Sequence, residues 1–455
     1  MAILLTIFFL IFTLICAKNI RYGVYAVIFS MPLYLWRFSI FGIPTTTLEI
    51  MIYILFLTWA LNQTSKQYHS TVYSTICIAI KRKHNLLLVV GITLLFLGLI
   101  LSTLHSSNLR TSLGICKGWF FDPVLFFIVF INITKKARHI ELSLASWVFS
   151  GVIVSLISIF YLLNNILTFD NRLSAFYISP NYLAMYLAPV FLIMLFFLNN
   201  NLSFPRRRES ITTINDNLNI IQNIKKTSNI QYLLFIIILI PLFFTYSYGA
   251  FLGVFASTIW LFYKTQICHS KNNILKYTQK KPLLKTLILI ILIAFIFITA
   301  AKFNQIIDSE NRSSFHSRLM IWNVSAEIIK DNPIFGIGPG TFQEVYLSYS
   351  EKFDEPYLEW AVTQPHNTFL AFYLQTGLAG FIGFILILIW FFYSGFKRKD
   401  NNIQYPISNV LTPLIIYILV HGLVDTMYWK NDLSLMFWLI IGVAIINQQL
   451  YQTEK

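Results

Sequence analysis

Apolar runs of the length needed to cross a bilayer recur along almost the whole chain, and this constrains the fold more than any other feature. Crossing roughly 30 Å of hydrocarbon takes about 20 helical residues. The runs fall near 2–17, 22–42, 46–62, 86–104, 112–133, 141–163, 180–199, 232–246, 249–263, 283–301, 367–394, 409–424 and 432–448. Composition agrees: 56% of the residues are hydrophobic and 12% are charged, against roughly 25% charged in soluble domains. The expected fold is an all-α polytopic membrane protein with about 12–13 transmembrane helices. The opening run lacks a basic leader and a small-residue cleavage site, so it reads as a retained span.

Orientation follows from the cations. The connections at 18–21, 63–85, 134–140, 200–231, 264–285 and 397–399, with the C-terminal tail, hold most of the 34 Lys and Arg, and short cytoplasmic loops carry that excess. They alternate with acid-rich connections. The reading is therefore a C-terminus inside and residues 302–366 on the opposite, extracytoplasmic side. The net charge of +15 is mainly this positive-inside signal, which anionic lipid headgroups suffice to partner, and it does not point to nucleic acid. Cys16, Cys77, Cys116 and Cys268 lie in apolar runs or cytoplasmic loops. That distribution indicates neither a disulfide framework nor a thiol metal site.

Three parts organise the chain: N-terminal spans over 1–301, a long extracytoplasmic loop over 302–366, and C-terminal spans over 367–455. Within the first part, 200–231 is Asn-rich and basic and reads as a cytoplasmic, dispensable insertion without helical apolar periodicity. Arg206, Arg207 and Arg208 there serve as a solvated anchor. The long loop reads as folded. Arg318, Trp322, Ala326 and Ile329 share one helical face, Asn332-Pro333 stops that helix, and the FGIGPG stretch at 335–340 permits tight turns. A second short helix follows from about 341 to 350.

Of the eight histidines, His69, His84, His139 and His269 sit beside Lys or Arg in cytoplasmic loops, while His105, His316, His366 and His421 remain. His366 stands between Pro365 and Asn367, the latter a candidate helix N-cap. It reads either as an interfacial helix-start residue or as a functional base. Arg172 and Arg318 both fall on the extracytoplasmic side, where spare cations are disfavoured and each needs a partner. Acids such as Asp170, Glu327, Asp354 or Glu359 would serve. So would a diphosphate, which the guanidinium fork grips in bidentate fashion. Two arginines and a histidine facing one cavity suit a phosphorylated lipid substrate.

The stretch SRLMIWNVSAEIIKDNPIFGIGPGTF at 317–342, followed by PHNTFLAFYLQTGLAG at 365–380, resembles the signature of the O-antigen ligase and polymerase family. NRLSAFYISPNYLAMYLA at 171–188 is similar to its upstream Arg and Pro-Asn-x-x-Ala element, and the run into Gly422 and Asp425 to its closing segment. The resemblance covers roughly residues 90–445 in layout. It implies a polyprenyl-diphosphate-dependent glycan transferase of the membrane glycosyltransferase C type, working at the periplasmic face of the inner membrane without nucleotide sugar, cofactor or metal.

Under that reading His366 is the catalytic residue, taking the acceptor proton, and Arg318 and Arg172 hold the diphosphate. Asn181, Trp322, Gly336, Gly338, Asn367 and Tyr248 support them. The expected partners are an undecaprenyl-type diphosphate glycan donor, a lipid A-core or other glycan acceptor, and membrane lipids. One departure stands out: the family pattern Ser-Arg-Gly reads Ser247-Tyr248-Gly249 here. Tyr248 donates a hydrogen bond but no charge, leaving Arg172, Arg318, Arg312 or Lys302 to substitute. The alternative within the family is a polymerase. A protein-glycosylating member fits less well, because little follows the last span. A transporter is disfavoured, because two matching halves with interrupted helices are missing, although Arg37, Lys117 and Asp122 lie within apolar runs.

Overall fold

The computed structural model describes residues 2–64, 85–199, 216–271, 314–349, 362–396 and 408–453. Helices α1 (Ala2–Lys18) and α2 (Ile20–Phe29) lead through a 3₁₀ turn (Met31–Leu35) into a two-stranded hairpin, β1 (Arg37–Ile40) and β2 (Ile43–Thr46). Helices α3 (Thr47–Thr64), α4 (Leu86–Leu104), α5 (Leu109–Ile133), α6 (Ala137–Leu163), α7 (Pro180–Asn199), α8 (Asp216–Phe244) and α9 (Tyr248–Lys271) follow. After α9 come α10 (Ser314–Asp331), the short α11 (Phe342–Ser348), α12 (Thr368–Phe396), α13 (Ser408–His421) and α14 (Asn431–Thr453). The protein is an all-α polytopic membrane protein. Six described helices are long and apolar enough to span a bilayer, and six shorter apolar ones accompany them. Together they account for every run read from the sequence except 283–301, which lies outside the described residues.

Two helices form the centre. Residues 183–197 of α7 and 431–447 of α14 are buried on every side, so their unbroken hydrophobicity reflects enclosure by other helices and not a lipid face. The outer helix α1 is the opposite case, with Ile3, Leu4, Ile7, Leu10 and Leu14 turned outward. Helix contacts in a membrane depend on close packing, since lipid is as apolar as the side chains it touches. The α4–α12 contact shows this: a methyl group built on Gly98 would overlap the backbone of Gly380, so Gly98 is required for that approach.

The run at 367–394 is not one straight span. Gly377, at φ +66°, breaks α12, and Phe372 stacks on Phe384 with ring centroids 3.9 Å apart. Twelve residues of straight helix would separate those rings by about 18 Å along the axis. The chain therefore turns back sharply at Gly377. The FGIGPG loop fills the outside of the turn, with Ile337 N donating to Leu374 O (2.7 Å) and Leu378 N to Ile334 O (2.9 Å). Gly336, Gly338 and Gly340 all have positive φ, the left-handed backbone that glycine adopts without steric cost.

Three further expectations are refined. The run at 22–42 is helical only to Phe29, because Pro32 and the Phe41-Gly42 turn divert the chain into the hairpin. Helix α8 begins at Asp216, well inside the stretch read as an aperiodic insertion. No proline or glycine interrupts the sequence between Pro205 and Pro241, so the membrane helix continues into the polar segment. Among the charges within runs, Lys117 pairs with buried Glu49 at 2.6 Å on a π-helical turn (Lys117–Phe121), and Asp122 is buried. Arg37 lies exposed on β1.

The long-loop expectations match within the described residues. Helix α10 ends at Asp331 beside Asn332-Pro333, and α11 occupies 342–348.

Candidate functional site

At one end of the bundle five segments meet: the α6–α7 connection, the α8–α9 junction, the residues before α12, the α13–α14 connection and α10. Arg172 lies on the first. Its Nε donates to Thr245 O (2.7 Å), Nη2 to Asn181 Oδ1 (2.6 Å), and Nη1 stands 3.6 Å from Asp170 Oδ2. Asn181, in the first turn of α7, passes the connection on, its Nδ2 donating to Asp425 Oδ2 at 3.0 Å. The other carboxylate oxygen of Asp425 faces Nδ1 of His366 at 3.3 Å. One polar chain thus runs Arg172–Asn181–Asp425–His366.

The backbone holds both ends of this chain. His366 adopts φ +46°, a conformation uncommon outside glycine and enriched where function demands it. Asn367 Oδ1 accepts from Phe369 N (2.9 Å) and Leu370 N (3.1 Å), which makes it the N-cap of α12. Capping therefore falls to Asn367, and the His366 ring is turned to Asp425 instead. Trp322 Nε1 donates to Pro365 O (3.1 Å), fixing the residue before the histidine. Thr368 ties the two connections together: its N donates to Gly422 O (2.7 Å), its hydroxyl to Asp425 O (3.0 Å), and it accepts from Met427 N (2.9 Å).

Asp425 is buried at 2% exposure. Burial alone would raise its pKa, but the hydrogen bond with His366 and the charges of His366, His421 and Arg318 outweigh that and hold the carboxyl well below the usual carboxylate range. Arg318 reaches the same connection from α10, its Nε donating to Val424 O at 2.8 Å. It lies near enough to Arg172 for the two charges to repel. Both guanidinium groups therefore contribute positive charge to this end of the bundle.

The candidate residues fall into two groups. His366, Arg318, Arg172, Asn181, Trp322 and Asn367 converge on the Asp425 connection, and Tyr248, the first residue of α9, lies within electrostatic range of Arg172. Gly336 and Gly338 lie instead at the turn of α12, where added methyl groups would overlap Leu374 and Ser106. Of the acids weighed as arginine partners, Asp170 does face Arg172, while Glu327 pairs with Lys330 at 2.6 Å. Asp354, Glu359, Arg312 and Lys302 lie outside the described residues. Sequence reasoning placed Asp425 only in a closing segment and missed it as the hub. The available signal was a carboxylate at the junction of two spans, where a buried charge needs a partner.

Fold and site together define a polytopic helical membrane protein with a polar, cation-bearing cluster assembled at one end of its bundle. A family model described as O-antigen ligase matches residues 233–385. That stretch carries Tyr248, Arg318, Trp322, the FGIGPG loop and His366, and over it the chain is similar to the O-antigen ligase family. Arg172, Asn181 and Asp425 lie outside the matched stretch, and the folded chain brings them to it. No curated protein matches the chain.

Proposed function

We propose that the protein is an O-antigen ligase-type glycosyltransferase. In this reading it moves a glycan from a polyprenyl diphosphate carrier to a sugar hydroxyl of a lipid A-core acceptor at the periplasmic face of the inner membrane. The observation that carries the proposal is the pairing of His366 Nδ1 with Asp425 inside a network that also holds Arg172 and, through the Val424 carbonyl, Arg318.

The chemistry follows from that pairing. With Nδ1 turned to a carboxylate, the imidazole is fixed in the tautomer that leaves Nε2 as the acceptor of a proton. The acceptor hydroxyl gives its proton to Nε2 as its oxygen forms a bond to the anomeric carbon. The bond from that carbon to the diphosphate oxygen breaks, and the polyprenyl diphosphate leaves with the electron pair. Asp425 stabilises the imidazolium that forms, as the carboxylate does in a base–orienter pair. Arg318 and Arg172 stabilise the charge growing on the diphosphate, and direct displacement inverts the anomeric centre. Arg172, beside Tyr248, supplies the cation that the family pattern places at position 248.

Reconstitution in liposomes with lipid-diphosphate-linked glycan and lipid A-core tests this, with single-turnover transfer as the readout. Glycan joined to core supports the ligase reading. Repeat units joined while still lipid-linked would assign the same site to a polymerase.

A further inference from the structure

The hairpin between α2 and α3 places an apolar tip where a soluble turn would place polar residues. Its register, Arg37 with Thr46 and Ile40 with Ile43, closes through two residues, Phe41 at φ +50° and Gly42 at φ +77°. Such a turn needs positive φ at both positions and is ordinarily built from Asn-Gly or Asp-Gly. Phenylalanine gains nothing there from intramolecular packing: Phe41 is fully exposed (101%), with Ile40 and Ile43 exposed beside it. A bulky residue in a left-handed backbone with no protein contact calls for something outside the chain to cover it.

Two observations identify the cover. Helix α2 rises about 15 Å over its ten residues and the five-residue 3₁₀ turn adds about 10 Å, so the hairpin starts near the far boundary of a roughly 30 Å hydrocarbon layer. Phe38 of β1 also packs against Phe9 of α1, ring centroids 6.4 Å apart, and α1 is the helix whose Ile3, Leu4 and Ile7 face outward into lipid. The base of the hairpin is locked. Lys117 Nζ donates to Pro44 O (3.2 Å), and Thr45 Oγ1 donates to Glu49 Oε2 (2.9 Å), whose other oxygen accepts from Asn431 Nδ2 (3.0 Å). The tip is therefore presented rigidly, beside a helix with an outward apolar face.

We infer that the Ile40–Ile43 tip is a membrane-insertion element that dips into the acyl region of the leaflet on the site's side of the membrane, with phospholipid as its partner. This stands independently of the activity proposed above. The test places p-benzoylphenylalanine at position 41, or at Ser107 as a polar exposed reference, in the full-length protein in phosphatidylethanolamine–phosphatidylglycerol liposomes. Irradiation is followed by intact-protein mass spectrometry. Lipid adducts at position 41 at least about tenfold above those at position 107 are expected. Equal yields at the two positions, or a cross-linked pair of chains in place of lipid adducts, would overturn the inference. Phe41→Ser leaves the fold unchanged, since the side chain touches nothing, and in the liposome-bound protein its hairpin should be cut by protease faster than that of the unaltered chain. A protease cut at 41–42 in the unaltered liposome-bound protein would likewise rule out burial in lipid.

Discussion

Asp425 faces His366 from the connection between α13 and α14, its Oδ1 3.3 Å from the imidazole Nδ1, while its other oxygen accepts from Asn181. The carboxylate is therefore shared between the proposed base and the arm that holds Arg172. Asp425→Asn keeps the shape and removes the charge. Transfer should fall by about 10²- to 10⁴-fold, while the fold loses only about 1–3 kcal/mol.

The same carboxylate has a pH signature. Its folded pKa is depressed, so its contribution to stability is fully present above the unfolded value of about 3.9 and is lost as pH falls through the lower folded value. The gap in thermal midpoint between the unaltered protein and Asp425→Asn should not narrow from pH 8 to pH 5. It should narrow only on acidifying below about pH 4. A gap that closes already between pH 7 and pH 5 would mean that Asp425 is not held ionised by its partners.

Arg318→Ala and Arg172→Ala should each weaken donor binding by roughly 10- to 150-fold, the loss expected for a hydrogen bond to a charged group. Lysine at either position should recover only part of this, because it restores charge without the guanidinium fork. Isothermal titration with a short-chain prenyl diphosphate glycan reads the effect directly. For Arg172→Lys the Asn181 contact at 2.6 Å should also be weakened, and transfer should fall further than binding does.

Gly377→Ala places a methyl group against Ile334 and Phe335 at φ +66°. Backbone strain of this kind costs of order 1–3 kcal/mol. The thermal midpoint in detergent should drop by several degrees, and transfer with it, because the same helix begins next to His366.

Orientation is tested by labelling. Single cysteines at 350 and 215, in a chain lacking the four native ones, should differ: 350 labels with an impermeant maleimide in intact spheroplasts and 215 only after lysis. Equal labelling would reverse or abolish the proposed topology.

The sequence carried the membrane class and the positions of nearly all helices, because run length and loop charge are local properties. It also carried Arg172, Asn181, Arg318, Trp322, His366 and Asn367, which sit in recognisable short patterns. The Asn367 cap is local as well, resting on two backbone amides within three residues. Three features were not legible because they depend on distant packing. Asp425 reaches His366 across 59 residues and Asn181 across 244. The break at Gly377 is hidden inside an apolar run, and only the loop at 334–337 and the close approach of α4 explain it. The hairpin at 37–46 is also apolar throughout its tip, so hydropathy alone reads it as span.

The most direct measurement separates binding from transfer in purified His366→Ala. Donor affinity and thermal midpoint should match the unaltered protein, while single-turnover transfer to the acceptor falls by about 10²- to 10⁴-fold. Transfer at a near-normal rate by this well-folded variant would contradict the account and reduce His366 to a residue that merely precedes the α12 cap.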